Sequence, residues 1–166
     1  MMKRFLPLIL IASFSVSSAE QAITQWVYNT LERAQANLDK GNLEAAERIY
    51  YDYANDTWSS RSYDHFVILR TYAYFLISYD RNEEALKYLK QASLKRDMPP
   101  YDIFELNFTL GQVYYVNGDR ENAKKTLLKW VEIGEKNKLD LKPEGYAILA
   151  TIYAQDEEWG NALKFI

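Results

Sequence analysis

An all-α fold, a helical solenoid of about four stacked helix hairpins, is what three features of this sequence predict. Ala46, Ala85, Ala123 and Ala162 recur at intervals of 39, 38 and 39 residues. Around each lies one frame, with a small residue about twelve positions earlier, a turn four to eight earlier and a large apolar residue four later. The chain also has only six glycines in 166 residues and is 48% hydrophobic, as suits helices packed on one another. A repeat of this length is one helical hairpin, which cannot bury its own apolar face and must stack on its neighbours.

The four copies follow in order. The first carries Ala34, Gly41, Ala46 and Tyr50 in the marked places, and the second Ala73, Asp80, Ala85 and Leu89. The third has Gly111, Gly118, Ala123 and Leu127; the fourth has Ala150, Glu157, Ala162 and Ile166. Two closely crossing helices need a small side chain on each face, here Ala34 against Ala46 or Gly111 against Ala123. The large residues then fill the gaps beside them. A leucine at one of the four alanines should cost about 1–3 kcal/mol by overpacking. Asp80 and Glu157 stand where a left-handed turn favours glycine, a conformation Asp tolerates better than Glu. Asn42 and Asp119, just after glycines, are candidate helix caps. Pro143 suits a first helical turn, and Pro99-Pro100 separates the second hairpin from the third. These signals predict helices at 24–40, 43–55, 63–79, 82–95, 101–117, 120–137, 143–155 and 158–166.

The frame resembles the tetratricopeptide repeat, most closely in Leu110-Gly111, Tyr114, Gly118-Asp119, Ala123 and Leu127, and again in Leu149-Ala150, Tyr153, Ala162 and Ile166. The period exceeds the usual repeat of about 34 residues, so the connections carry insertions. Two are visible, Lys95 to Pro100 and Asn55 to Arg61. The resemblance covers residues 25 to 166 and implies a right-handed solenoid. The pattern breaks off midway through the eighth helix, with its apolar face unmatched. Solenoids ordinarily carry a polar capping helix, so residues 20–166 read as a repeat domain truncated at its C-terminus.

Residues 1–19 read as a cleavable secretory signal. Lys3-Arg4 precedes an apolar run from Phe5 to Val16, and Ser17-Ser18-Ala19 supplies small residues for cleavage. A run of about 12 is short for a span that needs about 20; an uncleaved inner-membrane anchor is the rival reading. A periplasmic protein with no stable membrane insertion after cleavage is expected. No cysteine occurs, so neither a lipid anchor at the cleavage site nor a disulfide is available. Removing Lys3 and Arg4 from 20 basic residues leaves 18 against 23 acidic, net −5. That balance disfavours nucleic acid and anionic lipid, which are held by basic patches.

Little in the chain points to catalysis, and no cofactor or metal is expected. The one histidine, His65, lies beside Asp64 without a nucleophile and reads as solvated or capping. Glu83-Glu84 and Asp156-Glu157-Glu158 fall at helix starts, where carboxylates complement the dipole, and lack the alternating spacing of a calcium loop. Asn55-Asp56-Thr57 and Asn107-Phe108-Thr109 match the glycosylation pattern, which in a bacterial-type exported chain reads as coincidence.

What remains is a binding surface. In tetratricopeptide arrays the first helix of each hairpin lines a concave groove. On this chain the resemblance implies lining by Tyr28, Leu31, Gln35 and Leu38, then Val67, Arg70, Tyr74 and Ile77. Glu105, Phe108, Gln112 and Tyr115 follow, then Glu144, Ala147 and Thr151. Such an aromatic and aliphatic groove suits an extended peptide or an amphipathic helix; several of these residues equally suit packing on the next hairpin. Of the Lys, Asn and Arg cluster that grips a terminal carboxylate in chaperone-tail members, only Arg70 is present. A narrower resemblance lies in Ser62-Tyr63-Asp64-His65-Phe66-Val67, Arg70, Tyr72, Leu76 and Ala85 to Leu89, with Leu127, Lys129-Trp130 and Tyr146 to Tyr153. These strings are similar to periplasmic tetratricopeptide proteins of TonB energy-transduction systems. That resemblance implies a non-enzymatic scaffold, accessory to TonB-dependent transport, whose partner is a protein or peptide such as a TonB-complex component. The alternative is an exported regulator of a peptidoglycan or polysaccharide assembly enzyme. The other candidate binding side is that of Tyr50, Tyr51 and Tyr53.

Overall fold

The computed structural model describes residues 22–56 and 62–166, and among these it holds helices and no strands. Four antiparallel hairpins follow one another: α1 (Gln25–Asp39) with α2 (Leu43–Asn55), α3 (Ser62–Ser78) with α4 (Asn82–Ser93), α5 (Pro100–Val116) with α6 (Arg120–Asn137), and α7 (Pro143–Gln155) with α8 (Trp159–Ala162). Each expected helix is present within two residues, apart from the last. There the α-helix closes after four residues and tightens into a 3₁₀ turn at Leu163–Phe165, a common way for a final turn to end. The secretory-signal reading falls on residues 1–19, outside the described residues.

The four turns between paired helices are one motif used four times. Gly41, Asp80, Gly118 and Glu157 all take left-handed backbone, at φ of 76°, 60°, 80° and 60°. In each, this residue's N–H bonds back to the third preceding carbonyl at 2.9–3.1 Å, and the next N–H bonds to the fifth preceding one at 2.8–2.9 Å. These are the two closing bonds of the Schellman motif, and they satisfy carbonyls that the helix end leaves open. The next helix then starts the same way every time. The N–H of Ala46, Ala85, Ala123 and Ala162 meets the carbonyl of the residue four earlier at 3.0–3.1 Å. Asp119 caps α6 as expected, accepting from the Asn122 N–H at 3.1 Å. Asn42 occupies the cap position of α2 without using its side chain, although its backbone matches that of Asp119.

The marked alanines are fully or almost fully buried, as are Ala34 and Ala73. A Cβ on Gly111 would lie 2.6 Å from Leu127 Cγ, so the third hairpin is closed to the limit glycine allows. Tyr50, Leu89 and Leu127 fill the adjoining space, whereas Ile166 is exposed. In place of one uniform core there are two clusters. The larger runs from Val27 to Ile152. The smaller joins Phe104, Phe108, Leu127, Trp130, Leu149 and Tyr153, and Ile148 packs against both. Trp130 anchors the second: its ring is stacked 5.6 Å from Phe104 and lies edge-on 5.8 Å from Tyr146. Gly145 makes room for it, since a Cβ there would come within 2.4 Å of the indole. No described helix is long and apolar enough to cross a membrane.

Candidate functional site

The first helices of the hairpins, α1, α3, α5 and α7, are tied to one another by polar rungs. Between α1 and α3, Asp64 accepts from the Thr24 backbone N–H at 3.0 Å and from its hydroxyl at 2.9 Å. Between α3 and α5, Asp102 accepts from Arg70 at 2.5 Å and from the Tyr63 hydroxyl at 3.0 Å. Between α5 and α7, Lys142 donates to Glu105 at 2.8 Å and lies 4.5 Å over the Phe108 ring. Asp64 and Asp102 are buried. A buried carboxylate is costly unless its lone pairs are filled, and here two donors converge on each. The two acids stand 38 residues apart, the interval of the second and third alanines. That recurrence was the available signal; the pairing itself joins residues about 40 apart and needs the stacked hairpins.

The expected lining residues divide into two groups. Val67 and Phe108 are buried at 9% and 7% exposure, Phe108 against Trp130 at 5.1 Å. Leu31, Leu38, Ile77 and Tyr115 are half-buried and pack on the main core. The remainder reach solvent to differing degrees. Tyr28 is exposed; Gln35, Tyr74 and Gln112 are half-exposed; Glu144, Ala147 and Thr151 in the fourth copy are exposed. Gln35 donates to Asp39 at 2.8 Å, and Tyr74 accepts from Thr109 at 3.4 Å. Arg70 stacks over Phe66 at 5.2 Å while its guanidinium is engaged by Asp102. On the other candidate side Tyr50 is core, while Tyr51 is exposed and Tyr53 pairs with Trp26 at 4.7 Å.

His65 is a capping residue rather than a solvated one, but it caps the end of α2 and not its own helix. It is half-buried, with Nε2 3.0 Å from the Ala54 carbonyl at the end of α2 and Nδ1 2.8 Å from Lys95 Nζ beyond α4. An ammonium can only donate, so Nδ1 accepts and Nε2–H donates, which requires the neutral ring. Burial pushes the imidazole below the ordinary histidine value; Lys95 adds to that, and the bond to Ala54 opposes it. The ring thus fastens three helices across two hairpins. Asn107 is buried and its amide bonds to the Ile103 carbonyl at 2.7 Å, which leaves it unsuited to carry a glycan. Among the described residues, no three His, Asp or Glu side chains gather as a cation site.

No family model matches the chain. A curated relative, pre-mRNA-splicing factor 6 of Saccharomyces cerevisiae, is 29% identical over 118 residues, which is 64% of this chain but only 11% of that protein. The chain therefore spans about a tenth of the relative it matches. Among solved structures, the TPR-like repeats of a kinesin light chain from Podospora anserina superpose with a TM-score of 0.63. They are 18% identical, and the match covers 84% of this chain and 71% of that one. At that identity the likeness speaks for fold alone. Joined to the fourfold turn motif and the buried small residues, it supports one conclusion: the chain is an all-α solenoid of TPR-like repeats.

Proposed function

We propose that this chain is a periplasmic, non-enzymatic scaffold that holds a peptide or helix of a TonB-dependent transport system on the face formed by α1, α3, α5 and α7. The observation that carries the scaffold reading is the repeated stack itself. Four hairpins in register present a continuous row of first helices, held rigid by rungs at Asp64, Asp102 and Glu105. A pre-organised surface loses little entropy on binding. The solvent-reaching side chains, Tyr28, Gln35, Tyr74 and Gln112, are of the amphipathic kind that anchors peptides, while Val67 and Phe108 support them from beneath. Export rests on the basic, apolar and small-residue succession of residues 1–19. The TonB assignment rests on the similarity of Ser62 to Leu89 and Tyr146 to Tyr153 to that group of proteins.

The test is capture from envelope extract with the chain and with a Tyr28→Ala/Tyr74→Ala/Gln112→Lys variant whose helix content is checked by circular dichroism. Components of a TonB complex held by the parent and lost by the variant support the reading. Capture that the variant retains moves the site off this face, to the side of Tyr51. Peptidoglycan or polysaccharide assembly enzymes in their place support the alternative, an exported regulator. A fusion found only in the cytoplasm on cell fractionation would overturn export.

A further inference from the structure

The second helices share an outward stripe. Counted from the marked alanine, the positions two before it and two, five and nine after it fall on one helix face. They hold Glu44, Arg48, Tyr51 and Asn55 in α2, Glu83, Lys87, Lys90 and Leu94 in α4, and Glu121, Lys125, Leu128 and Glu132 in α6, and all twelve are exposed. The position two after the alanine is basic in every copy: Arg48, Lys87, Lys125 and Lys164. No packing constrains so exposed a site, yet all four copies give it one sign of charge. Elsewhere the cations are taken. Arg70, Arg81, Lys124 and Lys142 each have a carboxylate within 2.8 Å. Lys87, Lys125 and, beside the stripe, the exposed Lys129 form no ion pair among the described residues. Large apolar groups stand among them, with Tyr51 51%, Leu94 78% and Leu128 37% exposed. A hairpin added to a solenoid stacks on the end of the row, so it lengthens such a stripe without covering it.

We propose that the outward stripe of α2, α4 and α6 docks an acidic protein segment that also carries apolar side chains. Its carboxylates meet Lys87, Lys125 and Lys129, and its apolar groups meet Tyr51, Leu94 and Leu128. Charge complementarity carries the choice of partner. In a chain of net charge −3, α4 and α6 together hold seven Lys and Arg against five Glu, and such local contrast steers encounter and selects partners. Glu83 before Lys87 and Glu121 before Lys125 have the order that supports a helix. So exposed a pair is weak, however, and yields readily to an incoming carboxylate. Helix support also leaves Lys129 and the three exposed apolar groups unaccounted for. Glu83, Glu121 and Glu132 stand among the lysines and repel a uniformly anionic surface, such as a lipid headgroup layer. A peptide can set its separate carboxylates clear of them. The stripe shares no helix with the row α1, α3, α5 and α7 assigned above, so the two readings fail independently.

Fluorescence anisotropy of a labelled peptide of repeating Asp-Leu-Asp-Gly, titrated with the full chain, tests this. Saturable binding at low salt is expected, weakening as added salt screens exposed charges. Lys87→Glu/Lys125→Glu should weaken it by about tenfold or more, and Leu94→Ser/Leu128→Ser should weaken it as well. Lys87→Arg/Lys125→Arg should retain it, as should the Tyr28→Ala/Tyr74→Ala/Gln112→Lys variant of the other face. The four stripe positions are exposed, so circular dichroism should show native helix content in their variants. No binding up to millimolar concentration overturns the inference. So does binding indifferent to Lys87→Glu/Lys125→Glu, or equal binding of the Lys-Leu-Lys-Gly counterpart. Tighter binding to phosphatidylglycerol vesicles than to the acidic peptide overturns it too, in favour of a membrane surface.

Discussion

Removing the Asp102 carboxylate tests the rung that joins the second and third hairpins. Asp102→Ala strips Arg70 of its counter-ion and Tyr63 of its acceptor in one step. The two charged side chains are only 20% and 10% exposed, so neither charge is freely rehydrated. Breaking one side of a buried pair costs about 3–5 kcal/mol, and the residual water access places this rung near the lower end. Losing the bond from the Tyr63 hydroxyl adds about 1 kcal/mol. A total of about 4 kcal/mol should lower Tm by about 8–16 °C in a domain of this size. Arg70→Met/Asp102→Leu removes both charges and should recover most of the loss, because burying an ion pair costs about as much as the pair returns. Urea unfolding followed by far-ultraviolet circular dichroism reads both. If Asp102→Ala costs less than about 1 kcal/mol, or the double variant is as unstable as the two single losses added, the rung is not a coupled buried pair and the reasoning fails.

Three further outcomes are expected. Glu157→Gly should raise stability by about 0.5–1 kcal/mol, since a left-handed non-glycine residue costs about 1–2 kcal/mol and glycine returns part of that as unfolded-state entropy; Asp80→Gly should gain less, and thermal melts compare them. Gly145→Ala should cost about 1–3 kcal/mol by pressing on Trp130, whereas Gly160→Ala, which meets nothing within 4 Å, should gain about 0.5–1 kcal/mol. Equal effects in denaturant titrations would refute the packing argument. The His65 value is lowered in the fold from its ordinary 6.5, so the unfolded chain takes up the proton first. Its contribution is fully present above that pH and is lost as pH falls through the lower folded value. Stability should therefore drop between neutral and mildly acidic pH, and His65→Gln should flatten that slope. An unchanged slope would refute this role for the ring.

The hairpins were legible because their causes are local. Small residues at helix crossings, left-handed turn positions and prolines at first turns each act within a few residues, so Ala46, Gly118 and Pro143 could be read directly. Asp80 and Glu157 were legible as turns because the frame outvoted their own preference. The polar rungs were harder. Asp102 looks like any acid in a first helical turn, and its burial depends on Arg70 and Tyr63 arriving from another hairpin. His65 could be read as solvated or capping but not given its partners, since Ala54 and Lys95 lie 11 and 30 residues away. The candidate lining divided along a line that no local rule draws. Phe108 and Gln112 lie one helical turn apart, and only the packed hairpins, which set Trp130 and Lys142 against Phe108, bury one and leave the other in reach of water.

By itself the sequence determined the class of fold, the number of hairpins, their boundaries and the turn residues, because a repeated short-range pattern carries its own evidence. Its N-terminal segment and its family resemblances carry the expectation of export and of a TonB partner. Only the tertiary structure decided which acids are buried and that the histidine is a fastening between helices. Those properties depend on which surfaces neighbouring hairpins cover, and covering is a relation between residues about forty apart that no single copy of the repeat contains.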